Sequence, residues 1–175
     1  SLYCSDNLIA RLELKECLSL KTLKCRANQL TSLDLSGLES LESVDCGGNM
    51  LGELLLDGCL SLNYLDCYYN AFTFSTLPDF TARPGGDYIY APQKDIPIGD
   101  ANGEIIINEE LDLSAVGDSS TTFTWYRWDV KSHFEYPILP TTKEDGVFTF
   151  GEDFGGEYIL CKMTNEKFPE LELET

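Results

Sequence analysis

Four cysteines recur every 21 residues in the first half of the chain, and an asparagine follows each of them after three residues. The two columns are Cys4, Cys25, Cys46 and Cys67, and Asn7, Asn28, Asn49 and Asn70. Leucine-rich columns share this interval, so the core pattern is LxxLxLxxNxL, as in LKTLKCRANQL from Leu20. A period in the twenties with this core predicts a solenoid, here of about four coils, in which each repeat buries its apolar side chains against its neighbours.

The residues around each cysteine alternate as in a short strand with one buried face. In the second repeat, Leu23 and Cys25 point inward on this pattern, and Asn28 then turns the chain and bonds backbone groups. Cysteine is compact and among the most buried residue types, so we interpret the column as structural free thiols, with Cys17 and Cys59 as further apolar fillers. Disulfides between neighbouring coils are the alternative, because in-register strands lie about 4.8 Å apart.

The repeat frame ends at Pro78, and the composition of the chain changes there. Residues 78–87, PDFTARPGGD, contain two prolines and paired glycines, which is typical of a linker between domains. We therefore predict a first domain over residues 1–77 and a second over residues 88–175. Because the first strand leucine directly follows Ser1, we also expect the natural protein to continue before this residue.

The second domain has the period of two that is typical of strands. Its seven strand candidates are YIYA, EIIIN, ELDLSAV, TFTWYRW, GVFTF, EYILCKM and ELELET. Seven short strands over some 90 residues predict an antiparallel sandwich of two sheets, with another sandwich topology or a small barrel as the alternative. The whole chain is thus predicted to be mainly β.

Charge and hydropathy restrict the partners. The net charge is -18, with 6 Lys/Arg against 11 Asp/Glu in residues 1–84 and 6 against 19 in residues 85–175. This excess of acid predicts no nucleic-acid partner, because binding to a polyanion needs clustered cations. No apolar run approaches the roughly 18 residues of a membrane-spanning helix, so no membrane span is expected either.

Residues 2–77 resemble bacterial extracellular leucine-rich repeat proteins, broadly internalin-like, in a short cysteine-bearing form. The resemblance implies a non-enzymatic module, secreted or at the cell surface, whose concave strand face binds a protein or a glycan. The second domain resembles an immunoglobulin-like sandwich in Trp125 of TTFTWYRW and in GGEYILCKMTN. It departs from that family because Leu111 or Leu113 stands where a cysteine partner for Cys161 would be expected.

Enzymatic and metal chemistry find little support in the sequence. The lone histidine, His133, adjoins Ser132 on one predicted loop, whereas a nucleophile and its base face each other across a pocket. The stretch GDANGE lacks the glycine and glutamate positions of a calcium-binding EF-hand. No CxxC pair occurs. We therefore expect no enzyme, no cofactor and no metal.

The candidate ligand-binding residues are the strand side chains that flank the buried columns. They are Tyr3, Thr22, Lys24, Arg26, Asp45, Tyr64, Asp66 and Tyr68. Tyrosine and arginine next to acids are typical of binding surfaces, and we expect the linker to bring Tyr88 and Tyr90 near this group. The alternative hypothesis is a structural stalk within a larger multi-domain surface protein.

Overall fold

The structure, a computed structural model, describes residues 1–80, 86–98, 109–129, 131–151 and 158–175, with backbone alone for residues 142–144. All regular elements in these ranges are strands. They are β1 Leu2–Tyr3, β2 Thr22–Lys24, β3 Ser32–Asp34, β4 Ser43–Asp45, β5 Glu53–Leu55, β6 Tyr64–Asp66, β7 Asp87–Ile89, β8 Leu111–Asp112, β9 Thr121–Asp129, β10 Phe134–Ile138, β11 Thr142–Glu144, β12 Val147–Thr149, β13 Tyr158–Asn165 and β14 Glu172–Glu174. The chain divides into two units, Ser1–Lys94 and Asp95–Thr175.

The first unit is a solenoid whose repeats stack in register. A parallel sheet runs in the order β1-β2-β4-β6-β7, and β3 and β5 form a second parallel sheet. Leu23 pairs with Val44 and Val44 with Leu65, so residues 21 positions apart are neighbours, and all three side chains are fully buried. The predicted mainly β chain with a solenoid of about four turns is confirmed.

The asparagine column ties each coil to the one before it. The side-chain amide of Asn49 donates to the carbonyl oxygens of Cys46 at 3.0 Å and Cys25 at 3.1 Å, and its Oδ1 accepts from the Leu30 N–H at 3.1 Å. Asn28 and Asn70 make the same set of bonds one coil earlier and one coil later. These side chains satisfy buried backbone groups that the strand ladder leaves unpaired.

The turn that holds each asparagine requires a left-handed residue just before it. Asp6, Ala27, Gly48 and Tyr69 have φ of 57°, 53°, 64° and 52°. A non-glycine residue in this region is disfavoured by on the order of 1 kcal/mol. The hydrogen bonds of the neighbouring asparagine offset that cost.

A fifth strand continues the solenoid beyond the repeats that the sequence predicted. Tyr88 of β7 pairs with Leu65, and Gln93 replaces the asparagine: its Nε2 donates to the Cys67 oxygen at 3.1 Å, and its Oε1 accepts from Asn70 N–H at 3.0 Å. The interval here is 23 residues instead of 21. The structure therefore places Tyr88 in the first unit, whereas the sequence assigned residues 88–91 to the first strand of the second domain.

The second unit has two antiparallel sheets, in the orders β10-β9-β13-β14 and β11-β12-β8. Trp125 of β9 is 3% exposed, and its ring centroid lies 5.0 Å from Phe148 and 4.9 Å from Phe150. Both contacts are edge-to-face, a favourable arrangement for aromatic rings. The predicted antiparallel structure of the second half is confirmed, and Trp125 occupies its core.

Individual strands of the second unit differ from the prediction. Strands β10 and β11 were not predicted, ELDLSAV contributes only Leu111–Asp112 before a turn, and the candidate EIIIN lies outside the described residues. Strand β10 contains Pro137, which disfavours a strand in a sequence pattern but is tolerated at a sheet edge. The sheet order places β10 at such an edge.

All seven cysteines are free thiols, in agreement with the structural interpretation of the column. Cys25 and Cys46 are fully buried, and so is Cys59. Cys17, expected to be an apolar filler like Cys59, is instead exposed, because it lies on the first coil.

Asn49→Ala should destabilise the first unit strongly. The change leaves buried backbone groups of two coils without partners, and we expect a loss of about 2–4 kcal/mol in the free energy of unfolding, measured by chemical denaturation. Asn7→Ala is the matched control, because Asn7 is exposed and its side-chain amide donates to the Cys4 and Ser5 carbonyls of its own coil. Equal losses of unfolding free energy for the two variants would contradict the role of the asparagine side chains in linking the coils.

Thiol labelling of the native protein should distinguish the cysteines by burial. Burial raises the pKa of Cys25 and Cys67 to about 12 and holds the pKa of Cys46 well above its ordinary value, so these thiols are neither accessible nor ionised. With a thiol reagent at mildly alkaline pH, Cys17 should react at once and these three only after unfolding. Rapid native labelling of Cys46 would contradict the buried column.

Candidate functional site on the strand face

The strand face is the set of side chains that point outward from β1, β2, β4 and β6 and from the second residue after each strand. It exists because alternation sends Leu23 and Cys25 inward and therefore turns Thr22, Lys24 and Arg26 outward. All eight predicted binding residues lie on this face. Parallel, in-register pairing aligns them in rows that run across the coils.

Three of the coils meet at the ring of Tyr68. This side chain lies against Gly47 of the preceding coil, where a Cβ atom would approach the ring's Cε1 to 2.5 Å. The Arg26 guanidinium carbon, on the coil before that, lies 5.2 Å from the ring centroid. A tyrosine, a bare backbone and an arginine thus form one contact across the sheet, with a cation held against an aromatic ring.

Two carboxylates adjoin this contact. Asp45 and Asp66 are direct neighbours on β4 and β6. Asp66 is only 9% exposed, and its Oδ1 accepts from the Tyr68 N–H at 3.3 Å. Oδ1 of Asp45 is buried and has no hydrogen-bond partner among the described residues. A buried acceptor left without a donor costs about 1–3 kcal/mol of folding free energy.

The electrostatics of the pair favour proton uptake at Asp66. Burial is the largest cause that raises the pKa of its carboxyl, and the nearby Asp45 raises it further. The hydrogen bond from the Tyr68 backbone and the charge of Arg26 act in the opposite direction. The same two aspartates, together with burial, raise the pKa of Tyr64.

The first two coils contribute cations and one exposed ring. Tyr3 is 67% exposed, and the Lys24 Nζ lies 6.0 Å from its ring centroid. Thr22 is half-buried and lies in one row with Ser43 and Tyr64. The face is therefore cationic on its second coil and acidic on its third and fourth.

Tyr88 and Tyr90 do not join this face. Their rings lie 4.8 Å apart, Tyr90 is buried, and the Tyr88 hydroxyl donates to the Pro78 oxygen at 2.8 Å. They occupy the inward columns of the fifth strand, which the spacing of 23 residues concealed. Sequence reasoning also missed the space that Gly47 leaves for the Tyr68 ring, because only the stacking of the coils brings these two residues together.

Throughout the described part of the chain, no three His, Cys, Asp or Glu side chains gather as metal ligands. His133 lies in a turn, where its N–H donates to the Asp129 oxygen. The described segments also include no helix of the length and apolarity that would cross a membrane.

Comparison with known proteins finds partial similarity. Two curated proteins from Leptospira interrogans, of serovars copenhageni and Lai, match the chain, and both are named ribosome maturation factor RimM. Each is 30% identical over 92 residues, which cover 51% of this chain and 52% of that protein. The chain thus spans about half the length of the curated relatives it matches. No protein-family model and no solved structure matches it.

Asp66→Asn should alter the pH dependence of stability. Because the folded state raises the pKa of Asp66, it binds a proton more tightly than the unfolded chain does. The wild type should therefore lose unfolding free energy as pH rises from the ordinary aspartate pKa of about 3.9 through the raised value. Asparagine does not titrate, so the variant should gain on the wild type between about pH 3 and about pH 7 in denaturation experiments. If the difference in unfolding free energy between the variant and the wild type did not change with pH, the raised pKa of Asp66 would be contradicted.

Proposed function

We propose that this chain is a non-enzymatic binding module of the leucine-rich repeat class, and that its strand face recognises a protein. The repeat pattern LxxLxLxxNxL and the in-register solenoid support the class. The core position of Trp125 beside β13 supports an immunoglobulin-like second unit. A secreted or surface location accompanies this proposal through the same resemblance.

The contact among Arg26, Gly47 and Tyr68 carries the proposal. Arginine and tyrosine are, with tryptophan, enriched at the energetic centres of protein interfaces. Tyrosine buries a large area at low entropic cost, and both residues keep polar groups for the partner. Here the glycine holds the ring in place before any partner arrives, which lowers the entropic cost of binding.

The mixed charge of the face favours a protein over a glycan. Lys24 and Arg26 lie beside Asp45 and Asp66, so the face presents both signs of charge within one patch. A protein partner supplies complementary charges of both signs. A glycan offers hydroxyl donors but no cation.

The name of the two partially similar proteins does not describe the function of this chain. Ribosome maturation is what that name states for the Leptospira proteins. Similarity over half of each chain does not carry their activity to this one. The net charge of -18 also disfavours a direct contact with ribosomal RNA.

The test is a binding screen of the intact chain against arrays of purified extracellular proteins and of glycans. For a protein that binds, Arg26→Ala and Tyr68→Ala should each weaken affinity about tenfold or more, measured by surface plasmon resonance. Gly47→Ala should weaken it too, because the new Cβ displaces the Tyr68 ring. Arg11→Ala is the matched control, since Arg11 is exposed and pairs with the neighbouring Glu13.

Three outcomes contradict the proposal. If Arg11→Ala and Arg26→Ala weakened binding equally, the strand face would be excluded as the binding site. Binding to glycans alone, lost in Tyr68→Ala, would make the ligand a carbohydrate. The absence of any binding at high protein concentration would favour a structural stalk within a larger surface protein.

A further inference from the structure

The second unit carries an aromatic surface that sequence patterns did not single out. Strand register places Tyr158 of β13 and Glu135 of β10 on either side of Trp128 in the centre of the four-stranded sheet. The next row of the same side consists of Leu160, Tyr126 and Pro137. We call these two rows the outer face.

Burial shows that the outer face points away from the core. Trp125, Cys161 and Met163 alternate with the outer residues along β9 and β13, and all three are buried. Tyr158, in contrast, is 69% exposed, and Trp128 is half-buried. Side chains of register partners project from the same side of a sheet, with Cβ atoms about 5 Å apart, so Trp128 and Tyr158 share the outer side.

Further side chains border the aromatic rows. The His133 ring lies 6.3 Å from the Trp128 ring between centroids. The Lys162 Nζ lies 5.4 Å from the centroid of Tyr126. Along the same strands, exposed Thr124 and Thr164 continue the outer side with hydroxyl groups.

One lysine of the outer side is paired with two carboxylates. Nζ of Lys162 lies 3.0 Å from a carboxylate oxygen of Glu135 and 3.8 Å from one of Glu174. These carboxylates therefore already have a cation beside them, in a half of the chain where acids outnumber bases by 19 to 6. The surface offers ring faces, hydroxyls and paired carboxylates, and no cation free of a carboxylate neighbour.

We propose that the outer face, centred on Trp128 and Tyr158, binds a neutral polysaccharide. The C–H face of a pyranose ring stacks on an aromatic ring, and two aromatic side chains on the same side of adjacent strands offer a chain of sugars more than one stacking position. Carboxylate and threonine oxygens accept hydrogen bonds from sugar hydroxyls. This site lies in a different unit from the strand face and does not depend on the function proposed there.

Charge excludes the competing occupants. An anionic glycan or a nucleic acid is repelled by the acidic second half of the chain. A second copy of the chain brings the same excess of acid, so two outer faces repel each other. A basic protein would compete with Lys162 for carboxylates that are already paired.

Native electrophoresis in gels that contain a soluble polysaccharide tests the proposal with the full chain. At least one of galactomannan, xyloglucan, mixed-linkage β-glucan and hydroxyethylcellulose should retard the wild type, whereas polygalacturonate should not. Tyr158→Ala and Trp128→Ala should each weaken this binding about tenfold or more. Tyr136→Ala is the matched control, because Tyr136 is 40% exposed and projects from the opposite side of the same sheet.

Tryptophan fluorescence gives a second readout at the site itself. The chain has two tryptophans, and Trp125 is buried in the core. The retarding polysaccharide should therefore change the emission of Trp128. Trp128→Phe keeps an aromatic ring and should retain part of the affinity while losing the emission change. This variant also keeps the test valid if Trp128→Ala fails to fold.

The proposal is overturned if no neutral polysaccharide retards the wild type. It is also overturned if Tyr136→Ala reduces binding as much as Tyr158→Ala does, or if Arg26→Ala on the strand face abolishes it. Light scattering identifies the remaining alternative. A dimer that Tyr158→Ala dissociates would assign the outer face to self-association.

Discussion

The solenoid depends on the hydrogen bonds of its buried asparagine column. At each coil the chain leaves the strand ladder, and backbone groups in the interior lose their strand partners. One asparagine amide serves its own coil and the preceding one, as Asn49 does for Cys46 and Cys25. The small thiol of the cysteine column fits beside this turn without filling the space the amide needs. Leucine burial supplies the driving force, and the amides determine the stacking register.

That register creates the strand face. A period of 21 aligns Lys24 with Asp45 and Asp45 with Asp66, so side chains far apart in the sequence become neighbours. A one-residue shift in any coil would turn outward residues into the core. The close approach of Tyr68 to Gly47 and Arg26 is a product of stacking alone, since 21 residues separate each from the next.

The second unit follows a different physical rule. Its two sheets are joined by a core of rings, with Trp125 against Phe148 and Phe150. One side of the four-stranded sheet packs against that core. Trp128 and Tyr158 project from the other side and take no part in the core. The two units thus present chemically different surfaces, one with both signs of charge and one whose lysine is paired with two carboxylates.

The sequence by itself determined the solenoid, its four cysteine-bearing repeats and the outward direction of the eight strand-face residues, because a strict period and strand alternation are local properties. It also indicated the antiparallel second half. Only the tertiary structure decided that Tyr88 and Gln93 form a fifth repeat at a spacing of 23, and that β10 forms an edge strand despite Pro137. It alone brought Gly47 beneath Tyr68 and left Oδ1 of Asp45 unpartnered. These features arise from contacts between coils and between strands, which no short sequence window contains.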